Sequence, residues 1–178
     1  MKDNQIKLVR DFQTQPGIDE FEQFANSLTK SVEDNFIKLK PKEDWPPAVF
    51  LLNDKRKIHQ VMTSLRNNEE KDVFFRKIIP SLIIKTNAFI YGFVSTSWLS
   101  TSESDIRPSS DPDRIEVIMI QVISFDKNRT LIAHIKRQKK KHPLLESWEV
   151  IDDELQGRHV DPVMKALLQN TISKRRMN

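Results

Sequence analysis

Three consecutive stretches decide the fold of this chain, and they read AFIYGFVSTSWL at residues 88–99, EVIMIQVISF at 116–125 and TLIAHIK at 130–136. They are rich in the β-branched and aromatic residues that favour strands. In the first two, both alternating sets of side chains are mainly apolar, so both faces should be covered. Residues 126–129, DKNR, favour a tight turn between the second and third stretches. The sequence therefore predicts three neighbouring antiparallel strands at the centre of one sheet.

Helical patterns flank these strands. An amphipathic helix is predicted after the capping residue Asp19, with a buried face at helical spacing. Its members are Phe21, Phe24, Ala25, Leu28, Val32, Phe36 and Leu39. A second helix is expected to begin near Asn67 and to bend at Pro80, which has no amide hydrogen. A third is expected at the C-terminus, where Pro162 suits a first helical turn.

Two further segments have strand character. Residues 48–52 read AVFLL and predict a short buried strand. The turn residues that follow favour a hairpin with residues 57–63, although Ile58, Val61, Met62 and Leu65 would also suit a helix. Residues 144–151 are expected to turn back along the third central strand, as an edge strand. These segments complete the set of predicted strands.

The predicted fold class is α+β, in the order α-β-β-α-β-β-β-α. We expect one domain over residues 17–173, with a five-stranded antiparallel sheet, or six-stranded if residues 144–151 pair back, and helices on both faces. Residues 1–16 are expected to form a flexible N-terminal arm and residues 174–178 a basic tail. This layout resembles that of roadblock and profilin-like proteins, and the resemblance concerns the fold alone.

Composition excludes several classes of function. The chain has 178 residues, three glycines and no cysteine. It therefore has no glycine-rich phosphate loop, no disulfide and no thiol chemistry. The first residues lack the apolar core of a signal peptide, and no stretch is long and apolar enough to span a membrane. We expect a cytoplasmic protein that does not associate with membranes.

A polar loop between the first two central strands is the most distinctive stretch, and residues 107–116 read RPSSDPDRIE. With the preceding Ser95-Thr96-Ser97-Trp98, it resembles a pattern in a group of uncharacterised bacterial proteins, in which a strand ending in tryptophan precedes an RPS and DPxR loop. The resemblance implies no activity. Thr96 and Ser97 depart from it, since an acid and a small apolar residue would be expected there.

The loop supports two interpretations. Its prolines and aspartates could form a turn that satisfies its own hydrogen bonds, or it could be a ligand or partner site. Arg114 and Glu116 are two residues apart, so on a strand they share a face, and we expect an ion pair between them. The candidate site residues are Trp98, Arg107, Asp111, Asp113, Arg114 and Glu116.

Catalytic patterns are incomplete. A metal nuclease would need an acid two residues before Lys136, and that position is His134. No two histidines have the i, i+4 spacing of a helical metal pair, and no Gly-x-Ser-x-Gly elbow exists. The sequence predicts no catalytic residue, no metal site and no cofactor, and a small hydrolase or metal-dependent nuclease is only a remote alternative.

The basic segment at residues 136–142, KRQKKKH, supports an alternative function. Its cations could bind the phosphates of a nucleic acid. The acids that follow would neutralise it if residues 144–151 turned back. The five candidate cations are Lys136, Arg137, Lys139, Lys140 and Lys141.

The favoured function is a non-enzymatic interaction module that works through a homodimer or a protein partner. Its motivation is the free edge that an open antiparallel sheet leaves, because unprotected edges recruit other chains. The candidates for that edge are residues 57–63 and residues 88–99.

Overall fold

A single antiparallel sheet forms the centre of the computed structural model, which describes residues 6–65, 67–100, 110–138, 141–151 and 160–175. Its strand order is β1-β3-β2-β4-β5-β6-β7, and β8 also pairs with β6. The strands are β1 (Ile6–Asp11), β2 (Ala48–Asn53), β3 (Lys57–Met62), β4 (Ala88–Leu99), β5 (Ile115–Ile123), β6 (Asn128–Lys136), β7 (Leu144–Leu145) and β8 (Glu149–Ile151). The predicted α+β class with an antiparallel sheet is confirmed.

All five principal predicted strands are present, and the segment 57–65 that was open between strand and helix forms β3. Residues 144–151 pair back on β6 as predicted, in two short pieces. β1 is additional. We expected residues 1–16 to be a flexible arm, but residues 6–11 pair antiparallel with β3. The correction has a physical reason, since β3 would otherwise present an unpaired edge.

Helix α1 (Glu20–Phe36) covers one face of the sheet. The Asp19 carboxylate caps it by accepting a hydrogen bond of 2.9 Å from the Phe21 amide, as predicted. Phe24 and Leu28 lie directly on Gly92 of β4. A Cβ atom at Gly92 would stand 2.5 Å from the Leu28 Cδ1 atom. The missing side chain at this position therefore lets the helix approach the sheet closely.

The opposite face carries helices α2 (Asn68–Val73), α3 (Ile79–Thr86) and α4 (Val160–Arg175). A π-helical turn, Phe74–Ile78, joins α2 to α3. We expected the helix to bend at Pro80, and this irregular turn ends two residues before that proline. The Ile79 amide bonds to the Phe74 carbonyl, five residues back. α4 is held by buried Asn170, which donates 2.9 Å hydrogen bonds to the carbonyl oxygens of Ile83 and Ala88.

Neither predicted edge segment is an edge along its whole length. β3 lies between β1 and β2. β4 lies between β2 and β5 over residues 91–94, whereas its first residues pair with β2 alone and Ser95–Leu99 pairs with β5 alone. None of the helices in the described ranges has the length and apolar character that a membrane-spanning helix requires.

Candidate functional site

The second half of β4 has a strand on one side only. Ser95–Leu99 pairs with β5, in a register that places Trp98 opposite Glu116. β2 ends its pairing with β4 at Val94, and no described strand continues beside residues 95–99. The residues before β2 are Pro46 and Pro47, which have no amide hydrogen to donate to a ladder. The local sequence therefore stops β2 and leaves β4 open.

The residues of this open segment are not of the types that usually protect a sheet edge. Natural edges are guarded by lysine, proline or a bulge. Residues 95–99 read STSWL, with no charge and no proline, and they continue the regular register with β5. Trp98 is 39% exposed and Leu99 is 36% exposed. The segment has the composition of a pairing strand and not that of a blocked edge.

The predicted loop is braced by Asp111, which is 3% exposed. Its carboxylate accepts hydrogen bonds from the Ser100 hydroxyl and, at 2.9 Å, from the Asp113 amide. Its carbonyl accepts a bond of 3.3 Å from the Arg114 amide. These contacts support the interpretation of a self-satisfied turn for Asp111. Asp113 is exposed at the turn, and Arg107 lies outside the described residues.

Arg114 lies over Trp98. The guanidinium carbon is 4.5 Å from the ring centroid, the geometry of a cation–π contact. This contact joins the loop to the open end of β4, so the structure brings these two predicted site residues together. We expected Arg114 to pair with Glu116, and the cation that binds Glu116 is instead Arg137.

Arg137 fastens residues 41–44 to the sheet. Its Nε atom donates to Glu116 Oε2 at 2.9 Å, and a second guanidinium nitrogen donates to Asp44 at 2.5 Å. The third donates to the Glu43 carbonyl at 2.9 Å. The hydrogen bonds that Arg137 donates to the Glu116 carboxylate, followed by the one that it donates to Asp44, raise the pKa of Arg137. This guanidinium is committed to intramolecular carboxylates.

The first residues of the basic segment, Lys136 and Arg137, form ion pairs with acidic side chains. The Lys136 Nζ atom is 3.0 Å from Glu146 Oε1, and Glu146 Oε2 is 3.6 Å from His134 Nδ1. The Lys136 hydrogen bond holds the pKa of Glu146 below its usual value. Lys141 is exposed, whereas Lys139 and Lys140 lie outside the described residues. Of the three candidate cations that the structure describes, Lys136 and Arg137 therefore form ion pairs.

A cleft of about 550 Å³ adjoins the open half of β4, on the face opposite α1. Its lining includes Thr96, whose side chain should point to the other face by strand alternation, so the cleft reaches the β4 backbone. The other described lining residues are Pro47, Leu65, Lys71, Phe75, Tyr91, Phe93, Ser95, Ser97, Met119, Gln121, Ile123, Val160 and Val163. Sequence reasoning missed this cleft. The signal in the sequence was three polar residues, Ser95, Ser97 and Gln121, on one face of β4 and β5 that is otherwise mainly apolar.

Among the residues described, no group of three or more histidine, aspartate or glutamate side chains could hold a metal ion. Comparison with protein-family models, with curated proteins and with solved structures gave no match to this chain. The arrangement itself is thus the ground for a function: an open strand segment, an aromatic–cation contact at its end, and an adjoining cleft.

Proposed function

We propose that this protein is an interaction module that self-associates through the open half of β4. Residues 95–99 of one copy pair antiparallel with the same residues of a second copy, and the two sheets become one. The observation that carries this proposal is the pairing of Ser95–Leu99 with β5 on one side only. A strand with an open edge gains main-chain hydrogen bonds when another strand is added to it.

A second copy suits this edge because the segment can pair with itself. A two-fold interface places the same surface on both partners, so like charges would meet if the segment were charged. Residues 95–99 contain none. Threonine and tryptophan form favourable cross-strand pairs, and pairing would cover part of the exposed Trp98 and Leu99. Self-pairing therefore brings no like charges of residues 95–99 together.

The proposed role is binding and not catalysis. The braced loop at Asp111 and the Arg137 ion pairs then serve as supports that keep the end of β4 in place. We also propose the cytoplasm as the compartment, an assignment that rests on the lack of cysteine in the sequence.

The test is the mass of the full chain in solution, measured by light scattering over a range of concentrations. We expect a mass of about twice the 20.9 kDa of one chain at high concentration. Trp98→Lys should give a single-chain mass, because it places two like charges at the pairing edge. Val150→Lys is the matched control, since Val150 is an exposed apolar residue on β8, at the other side of the sheet.

A single-chain mass for the unaltered protein at all concentrations would contradict self-association. A dimer that Val150→Lys dissociates and Trp98→Lys does not would place the interface at β8 and contradict the proposed edge. Circular dichroism of both variants at matched concentration checks that each remains folded.

A further inference from the structure

The Tyr91 side chain is buried, and its hydroxyl forms no hydrogen bond with the described chain. Tyr91 is 2% exposed and lines the cleft beside β4. No described residue forms a hydrogen bond with its hydroxyl. Burial raises the pKa of this phenol, so it is neutral and can donate a hydrogen bond. Tyrosine combines an apolar ring with a polar tip, so this unbonded hydroxyl offers a hydrogen-bond donor to an acceptor on a ligand in the cleft.

Lys71 marks the other end of the same cleft. The Phe75 and Phe93 rings meet edge to face, with 5.1 Å between their centroids, so the π-helical turn after α2 lies against β4 at this point. Lys71 precedes Phe75 by about one helical turn, and the chain then reaches α3, whose end leads into the start of β4. Helix and strand are thus antiparallel, so Lys71 lies towards Ser95 and Tyr91 lies in the other direction. Ser95 lies four positions after Tyr91 along the strand, which corresponds to a distance of about 13 Å.

The lining between these two ends is mainly apolar. Leu65, Phe93, Met119 and Val163 contribute to it, and Lys71 is the only charged side chain among the described lining residues. A volume of about 550 Å³ falls in the usual range for small-molecule sites. A single charged side chain, a cation, within the described lining favours a ligand with one negative charge.

We propose that the cleft binds a small amphipathic carboxylate whose far end carries a hydroxyl or carbonyl oxygen. The carboxylate pairs with Lys71, the apolar body lies against Phe93 and Met119, and the far oxygen bonds to the Tyr91 hydroxyl. This site goes beyond self-association and rests on the cleft alone.

Calorimetric titration of the full chain with decanoate and with ω-hydroxydecanoate, both below their micelle concentrations, tests the proposal. The two ligands differ only in the far-end oxygen. We expect ω-hydroxydecanoate to bind roughly fivefold more tightly than decanoate, and Tyr91→Phe to abolish that difference while leaving decanoate unaffected. Lys71→Ala should weaken both ligands about fivefold, and Lys77→Ala, a matched helix cation outside the cleft lining, should weaken neither.

The absence of binding to the unaltered chain would overturn the proposal. Equal affinity for the two ligands would overturn the role of Tyr91, and equal effects of Lys71→Ala and Lys77→Ala would show non-specific charge attraction only. The titration is repeated on Trp98→Lys, whose substituted residue lies outside the cleft lining. Retained binding by that variant separates this site from the outcome of the self-association test.

Discussion

The two halves of β4 follow one another in the same strand and have opposite surroundings. Residues 91–94 are paired on both sides, and at Gly92 the strand lies directly beneath α1. Residues 95–99 are paired on one side and end in exposed Trp98 and Leu99. The difference begins outside β4, where Pro46 and Pro47 prevent β2 from continuing. One half of the strand packs in the core, and the other half is the one that we propose pairs with a second copy.

The largest effect should come from adding volume to the core half. Gly92→Val places methyl groups where Leu28 and Phe24 already lie, and we expect it to lower the free energy of unfolding by about 3 kcal/mol. Ser97→Val, the matched substitution in the open half, should change it by less than about 0.5 kcal/mol. Urea denaturation measures both. Similar losses in the two variants would contradict the distinction between the halves.

The next effect concerns the two arginines near the open end. Arg137→Met leaves Glu116, whose side chain is 13% exposed, without its cation, and should cost about 2 kcal/mol of unfolding free energy. Arg114→Met loses the exposed cation–π contact with Trp98 and should cost less than about 1 kcal/mol. Urea denaturation gives the order of the two losses. A larger loss for Arg114→Met would mean that the loop, and not Arg137, supports this end of the sheet.

The smallest effect concerns the pH dependence of stability at Asp19, which caps the N-terminus of α1. The hydrogen bond from Lys127, followed by that from the Phe21 amide, lowers the pKa of Asp19. A carboxyl whose pKa is lower in the folded state contributes stability that is complete above its unfolded pKa, about 4, and is lost as the pH falls through the folded value.

Lys127→Met should therefore lower the melting temperature at pH 6, and the difference from the unaltered protein should shrink below about pH 4. Lys55→Met, which removes a charge from the exposed β2–β3 turn, should show no such convergence. A Lys127→Met difference that is constant between pH 6 and pH 2 would contradict the Asp19 pairing.

Much of the fold could be predicted because its signals are local. The spacing of Phe24, Leu28 and Val32 indicates α1, and the β-branched stretches indicate β4, β5 and β6. β1 was missed because its sequence, IKLVRD, has no clean alternation and its pairing depends on a distant β3.

The site was predictable only in part, for the same reason. Arg114 and Glu116 are neighbours in sequence, but the partner of Glu116 is Arg137, which the β5–β6 pairing brings beside it. The cleft combines residues of β4, β5, α2 and α4, and no local pattern could place Tyr91 and Lys71 in one lining.

Hydrogen exchange of the β4 amides tests the central claim most directly. It is measured at two protein concentrations, one well below and one well above that at which the mass doubles. We predict that alternate amides within residues 95–99, those directed away from β5, are protected only at the higher concentration, while residues 91–94 exchange slowly at both. Identical exchange of residues 95–99 at the two concentrations would contradict the claim that this half of β4 pairs with a second copy.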